Sequence, residues 1–147
     1  MCLDYITGRF NDWKEKGPHR ELWGWKILEK HDYGLQGEYY TTDGKSLSEG
    51  LVEGEVIPTP LELDKWYSST DVDLHCVDFN EKTPENAYRS GFHFYYRKKD
   101  AEEGAIPDLR YIFVKVIVRK LTAVGRQWNC KIGVAQEMKI VKVYNND

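Results

Sequence analysis

The sequence predicts a single α+β domain, residues 1–147, in which a curved, mostly antiparallel or split sheet dominates and helices are few and short. Three observations predict this class. One long β-branched segment and two sharply alternating aromatic segments have the period of strands. Only one short segment has a helix-forming composition. A chain of 147 residues, 41% hydrophobic and 14% aromatic, is long enough for one core and needs no second domain.

The first predicted strand covers residues 22–28, where the apolar side chains alternate. One face carries Trp23, Trp25 and Ile27, and the other carries Leu22, Lys26 and Leu28. Residues 34–54 contain five glycines among short polar runs, which indicates turns and short hairpins. Pro58-Thr59-Pro60 then predicts a rigid extended connection. Each proline fixes its own φ and keeps the residue before it out of the helical conformation.

Residues 91–96 predict a second strand, because their aromatic side chains alternate. Phe92, Phe94 and Tyr96 share one face, so His93 and Tyr95 point away from this phenylalanine core. Residues 97–103 follow with a helical composition, but their cations come first and their anions last, which opposes the helix dipole. So short a helix would have to be held by docking Ala101.

The central strand is predicted at residues 111–121, where Ile112, Val114, Val116 and Val118 form one continuous apolar face. Two further strands are predicted at 131–136 and 138–144. A break near Gly125 would let the central strand pair with one of them in antiparallel fashion.

The net charge of −3 hides an uneven distribution. Residues 1–74 hold 8 Lys and Arg against 15 Asp and Glu, whereas residues 75–147 hold 13 against 9. The late basic excess allows an anionic ligand or a solvated lysine face, but the total charge argues against a duplex-DNA binder.

No stretch has the ~18 apolar residues of a membrane span, and the start lacks the pattern of a secretion signal. Three scattered cysteines suit a reducing compartment, so a cytoplasmic protein without membrane contact is predicted.

The sequence contains no complete catalytic or metal-binding signature. Zinc sites use ligand pairs at short spacing, and the acidic residues 71–78 lack the pattern of a calcium loop, so no metal is predicted. Cys2 could act as a nucleophile beside a free α-amine if Met1 were removed, or it is an ordinary small residue. His93 is either a hydrogen-bonded structural residue or a polar group in a cleft. Whether it forms a catalytic Cys–His pair with Cys76 or Cys130 stays open.

Several short motifs resemble a set of small phage and prophage proteins. They are Met1-Cys2-Leu3, Gly24-Trp25-Lys26, Lys65-Trp66-Tyr67, Gly91-Phe92-His93, Asp100-Ala101, the strand around Lys115, and residues 135–140. The resemblance covers most of the chain and brings no established activity. It implies an accessory protein that acts in the cytoplasm of a host cell.

A more distant likeness concerns the ADP-ribosyltransferase fold, whose element order is similar to that of residues 22–28, 91–103, 111–121 and 137–144. By this likeness Trp25, Lys26, His93, Tyr95 and Glu137 would line a NAD pocket, with Glu137 catalytic. Ala135 stands where that family has Glu or Gln two residues before the catalytic glutamate, and the first strand lacks its His or Arg. A shared fold order cannot establish function.

We therefore expect a non-enzymatic phage-type accessory protein that binds a host protein or a nucleotide-like signal, counteracts host defence and needs no cofactor. A divergent enzyme that uses NAD is the first alternative, and a structural virion or interaction module is the second. Oligomers are compatible with the sequence. The predicted ligand-binding residues are Trp25, Lys26, His93, Tyr95, Arg119 and Glu137.

Overall fold

The computed structural model describes residues 3–11, 14, 19–31, 34–37, 63–68, 74–76, 87–89, 91–105 and 111–144. These ranges form an antiparallel, strand-rich fold with one short α-helix, which confirms the predicted balance of strand and helix. The strands are β1 Tyr5–Arg9, β2 Leu22–His31, β3 Gly34–Gly37, β4 Trp66–Ser68, β5 Leu74–Cys76, β6 Ala87–Arg89, β7 Phe92–Tyr95, β8 Tyr111–Gln127 and β9 Cys130–Tyr144, and the helix is α1 Lys98–Ala105. Of the turns and short hairpins predicted at 34–54, residues 34–37 form β3, which pairs antiparallel with β2. Residues 38–54 and the proline connection at 58–60 lie outside the described residues.

Two long strands, β8 and β9, organise the main sheet. They pair from Phe113 opposite Tyr144 to Gln127 opposite Cys130, with two register irregularities on the way. The first half of β8 also pairs with β2 and its last part with β1, while β9 also pairs with β7 and β4. A bridge between Trp25 and Tyr95 joins β2 to β7. The sheet therefore curls strongly, as predicted, and β5 and β6 form a separate two-stranded sheet.

The reversal between β8 and β9 corrects the prediction of a break near Gly125. The turn lies at Trp128 and Asn129, which both have positive φ values, 50° and 62°. Two consecutive positive φ angles are the geometry of a tight hairpin turn that matches the twist of its strands. Gly125 lies inside β8, where a side chain would collide with the carbonyl oxygen of Tyr5. The two late strands predicted at 131–136 and 138–144 are also one continuous strand.

The core consists of two apolar clusters, one on each face of the curled sheet. Phe94 belongs to the inner cluster, and its ring fits between the backbones of Gly24 and Gly133, where an added Cβ atom would overlap it. The inner cluster also contains the predicted apolar residues Val114, Val116 and Val118. The outer cluster contains Leu3, Tyr88, Tyr95, Ala101, Phe113, Ala123, Ile132 and Val134.

Helix α1 covers one end of the outer face, and Ala101 is completely buried there, as predicted. Lys98 lies 4.4 Å from the centre of the Tyr144 ring, which stacks on Phe113 at a centroid distance of 4.8 Å. Docking by the small Ala101 side chain thus holds a helix that its own charge order does not favour.

Candidate functional site

Lys26 and His93, two of the predicted site residues, meet in the interior. Lys26 Nζ donates a hydrogen bond to the His93 carbonyl oxygen at 2.8 Å. Lys26 is 3% exposed and His93 is 1% exposed. Each lies on its predicted strand, and His93 points away from the phenylalanine core as expected. Such burial closes these two side chains to a ligand that approaches from solvent.

The His93 ring belongs to a buried polar chain. Its Nε2 atom lies 3.0 Å from the Tyr88 hydroxyl and its Nδ1 atom lies 3.2 Å from the Gly91 carbonyl oxygen. The Tyr88 hydroxyl also accepts a hydrogen bond from the Leu3 backbone N–H at 3.1 Å. A neutral imidazole with its proton on Nδ1 satisfies every one of these contacts, because Tyr88 then donates to Nε2. The arrangement fits a structural histidine that links β7, β6 and the segment before β1.

Tyr88→Phe is expected to lower the free energy of unfolding by about 1–2 kcal/mol. The change removes one oxygen and leaves the Leu3 N–H and His93 Nε2 buried without that partner. Chemical unfolding of both proteins at pH 7 measures the difference. Tyr5→Phe, at a tyrosine that is 51% exposed, is the matched control and should change stability by less than about 0.5 kcal/mol. Equal stability of Tyr88→Phe and the wild type would show that these buried hydrogen bonds do not stabilise the fold.

Arg119 and Glu137 form an ion pair on the outer face of the sheet. Arg119 Nε donates to Glu137 Oε1 at 2.7 Å, Lys120 Nζ lies 3.4 Å from the same oxygen, and the Ser68 hydroxyl donates to Oε2 at 3.0 Å. Burial alone would raise the pKa of the Glu137 carboxyl. The hydrogen bonds from Arg119 and Ser68, with the charges of Arg119 and Lys120, outweigh burial and hold the pKa below its usual value. Both carboxylate oxygens are therefore engaged.

Trp25 and Tyr95 lie at a third place, beside helix α1. Tyr95 is buried in the outer cluster, and Trp25 packs against that cluster from the neighbouring strand. The Trp25 indole N–H is buried and has no hydrogen-bond acceptor in the part of the chain that the structure describes. The six predicted site residues thus do not line one pocket: Lys26 and His93 are buried in the interior, Tyr95 is buried in the outer cluster, and Trp25, Arg119 and Glu137 lie on the outer face.

The outer face of β2, β8, β9 and β4 brings together residues from distant parts of the sequence. Trp23 lies opposite Ile117, Ile117 opposite Lys139, and Lys139 opposite Trp66. Residues directly opposite each other in antiparallel strands share a face, so these four form one row across the sheet. A neighbouring row contains Trp25, Lys115 and Lys142. We call these seven residues, together with Arg119, the tryptophan-lysine face.

The cations of this face lie on aromatic rings, those of Trp23 and Trp66 within the face and that of the neighbouring Tyr144. Lys115 Nζ is 4.3 Å from the centre of the Trp23 ring, and the Arg119 guanidinium is 3.9 Å from that of Trp66. Lys139 Nζ is 5.1 Å from the Trp66 ring, and Lys142 Nζ is 4.9 Å from the Tyr144 ring. Trp23 is 53% exposed, an unusual position for a side chain of that size. This arrangement can stack a planar ring and attract an anion at one surface.

The sequence prediction included Trp25 and Arg119 but missed Trp23, Trp66, Lys115 and Lys139 as site residues. Two signals were visible in the sequence. Trp23 and Trp25 are two residues apart and so share one face of a strand, and cations outnumber anions in the second half of the chain. Neither signal shows that β9 lies between β8 and β4, with the lysines of β9 on the same face as Trp66, because strand order depends on tertiary pairing.

A cleft of about 360 Å³ opens on another part of the fold, lined by residues of β1, the start of β2, the second half of β8 and the start of β9. It contains none of the six predicted residues. Its lining includes the aromatic rings of Phe10 and Tyr96 and the cations Arg20 and Lys131, and Lys131 Nζ lies 4.2 Å from the Tyr96 ring centre. Burial raises the pKa of the Tyr96 hydroxyl, against the opposing charge of Arg20. The cleft is a second place where an anion could bind.

Cys130 has the properties of an unactivated thiol. Burial raises the pKa of its thiol, and the carboxylates of Asp100 and Glu103 raise it further. Its Sγ atom contacts the Trp128 carbonyl oxygen at 3.5 Å.

The side chains of Cys2, His75 and Cys76 lie outside the described residues, as do the acidic positions of 71–78. Within the described ranges, no three His, Cys, Asp or Glu side chains come together as metal ligands, and no helix is long and apolar enough to cross a membrane.

Comparison of the chain with models of protein families gives no match. Comparisons with curated proteins and with solved structures also give none. The function of the protein is therefore inferred from the geometry of its surfaces.

Proposed function

We propose that this protein is a non-enzymatic binding protein that takes up a nucleotide-like ligand, an anion with an aromatic base, on the tryptophan-lysine face. The observation that carries the proposal is the row Trp23, Ile117, Lys139 and Trp66 across four strands. Indole rings offer flat surfaces to a base, and lysines and arginines offer charge to its phosphates. The same ligand class agrees with the late basic excess of the sequence.

The charge of the face supports an anionic ligand. The carboxylate of Glu137 lies beside this face, and Arg119 and Lys120 already compensate its charge. In the described part of the chain, the contacts of Lys115, Lys139 and Lys142 are with aromatic rings. A cation over an aromatic ring stays available to a phosphate, because the interaction is worth only about 0.5–1 kcal/mol at exposed sites.

An ADP-ribosyltransferase-like enzyme acting on NAD receives less support. Glu137 would have to orient a ribose, but Arg119, Lys120 and Ser68 occupy its two oxygens. Lys26 and His93 are buried and bonded to each other, so neither side chain is open to a ligand beside Glu137. Incubation with labelled NAD tests this alternative: product release by the wild type that is lost in Glu137→Gln would favour the enzyme over the binding protein.

The resemblance to phage proteins supports a biological role for this binding. A phage-type accessory protein that sequesters a nucleotide-like signal of its host would blunt a host defence that depends on that signal. There are two alternatives of another class: a protein that binds a host protein, and a structural module without a ligand. Both alternatives predict that the purified protein does not bind nucleotides.

Binding to NAD, ADP-ribose, a cyclic dinucleotide and a single-stranded hexanucleotide, each measured by calorimetry, tests the proposal. The wild type should bind at least one of these probes. Trp23→Ala should weaken that binding by about tenfold or more, because stacking of one base is worth about 1–3 kcal/mol. Lys139→Ala should weaken it by a similar factor, because a hydrogen bond to a charged group is worth about 1.5–3 kcal/mol.

Two variants provide matched controls at other places. Trp128→Ala removes a tryptophan that is 67% exposed in the β8–β9 turn, and Lys131→Ala removes a lysine that lies on Tyr96 in the cleft. Both should bind like the wild type. Loss of binding in Lys131→Ala with normal binding in Lys139→Ala would move the site to the cleft. Absence of binding to all four probes would overturn the proposed function.

A further inference from the structure

We propose that the ligand of the tryptophan-lysine face is a single-stranded nucleic acid that crosses β2, β8, β9 and β4 and stacks different bases near Trp23 and Trp66. This inference rests on the proposed function and names its ligand more narrowly. It separates a chain of several nucleotides from a mononucleotide.

The distance between the two outer tryptophans exceeds the size of one base. Trp23 on β2 and Trp66 on β4 are separated by two intervening strands, β8 and β9. Adjacent strands lie about 4.8 Å apart, so their backbones are roughly 14 Å apart. A single base can cover one of these rings but not both. A ligand that uses the whole row must therefore contain at least two bases joined by a backbone.

The positions of the cations match such a backbone. Lys139 lies within the row, between Ile117 and Trp66, while Lys115 and Lys142 lie opposite each other in the next row. Along β8 these rows are two residues apart, about 7 Å. Cations thus border the line between the two tryptophans, where the phosphates of a strand crossing the sheet would pass. Arg119 adds its guanidinium plane beside Trp66, and such planes also stack with bases.

The rings favour a single strand over a duplex. In a duplex the flat faces of the bases are stacked on one another, and a sheet surface can reach only their edges and the phosphates. Unpaired bases expose the faces that indole rings can cover, and proteins that bind single strands combine such rings with a basic surface. The protein's net charge of −3 also makes duplex binding through charge alone unfavourable.

Affinity as a function of ligand length tests the inference. Fluorescein-labelled single strands of two, four, six and eight nucleotides are titrated with the wild type, and a mononucleotide and a hexamer duplex are tested as competitors. Affinity should rise at least tenfold from the mononucleotide to the hexamer, and the duplex should compete at least tenfold less well than the single strand. Trp23→Ala and Trp66→Ala should each weaken hexamer binding, whereas Trp128→Ala should not.

The dependence on salt gives a second measure. Lys139→Ala should reduce the slope of log affinity against log salt by about 0.7, the value for one phosphate contact with a single strand. A mononucleotide that binds as tightly as the hexamer would overturn the inference and leave the proposed function in place. Normal hexamer binding by Trp66→Ala would also overturn it. No binding of mononucleotides or oligonucleotides would overturn both. Because Trp66 packs with Arg119, the fold of Trp66→Ala is checked first by thermal unfolding, and Lys139→Ala carries the test if that variant does not fold.

Discussion

Phe94→Ala is expected to lower the free energy of unfolding by about 3–5 kcal/mol, the usual cost of deleting a buried phenylalanine. The side chain is 1% exposed and lies in the inner cluster between two glycine backbones. Its loss leaves a cavity in the core, which adds to the cost of the lost apolar burial. Urea unfolding followed by tryptophan fluorescence measures the change.

The matched variant Gly133→Ala tests the same contact from the other side. A methyl group at Gly133 would overlap the Phe94 ring, so the variant should lose about 1–3 kcal/mol through overpacking. Combining Gly133→Ala with Phe94→Leu should cost less than the sum of the two single changes, because the smaller side chain leaves room for the methyl group. Strictly additive losses would show that the two positions do not touch.

Glu137→Gln is expected to lower the free energy of unfolding at pH 7 by about 2 kcal/mol. The amide keeps the shape of the carboxylate, but it brings no negative charge to Arg119 and Lys120 and can accept through only one oxygen. Glu103→Gln is the matched control: its ion pair with Lys99 is 3.9 Å long and exposed, so the change should be less than about 0.5 kcal/mol.

The effect of Glu137 should depend on pH in a defined direction. Its pKa is lower in the folded protein than in the unfolded chain, so folding favours the carboxylate. Its stabilisation is therefore present above the unfolded pKa of about 4.3 and is lost as the pH falls through the lower folded value. The stability difference between wild type and Glu137→Gln should be full at pH 7 and should shrink below about pH 4. A difference that stays constant down to pH 3 would contradict this assignment.

Local pattern was sufficient to predict the strands at 22–28, 91–96 and 111–121 and the short helix that docks through Ala101. Alternation with a period of two depends on immediate neighbours, so it is visible in one sequence. The directions of His93 and Phe94 follow from the same alternation. The strand-rich class therefore follows from the order of the amino acids alone.

The turn and the site depended on contacts between distant residues. Gly125 looks like a turn residue, yet its missing side chain makes room for the Tyr5 carbonyl, and the actual turn is made by Trp128 and Asn129. The contacts of Glu137 with Arg119, Lys120 and Ser68 likewise depend on the pairing of β9 with β8 and β4, while a ligand beside Glu137 stays a prediction.

The sequence by itself determined which residues alternate within each strand, and hence the fold class, and it showed an excess of cations in the second half of the chain. Only the tertiary structure decided which strands are neighbours, and so placed Trp23 and Trp66 in one row with Lys139 between them. The physical reason is that backbone hydrogen bonds between strands are nearly the same for any pair. Strand order is instead set by packing and chain connection over the whole domain.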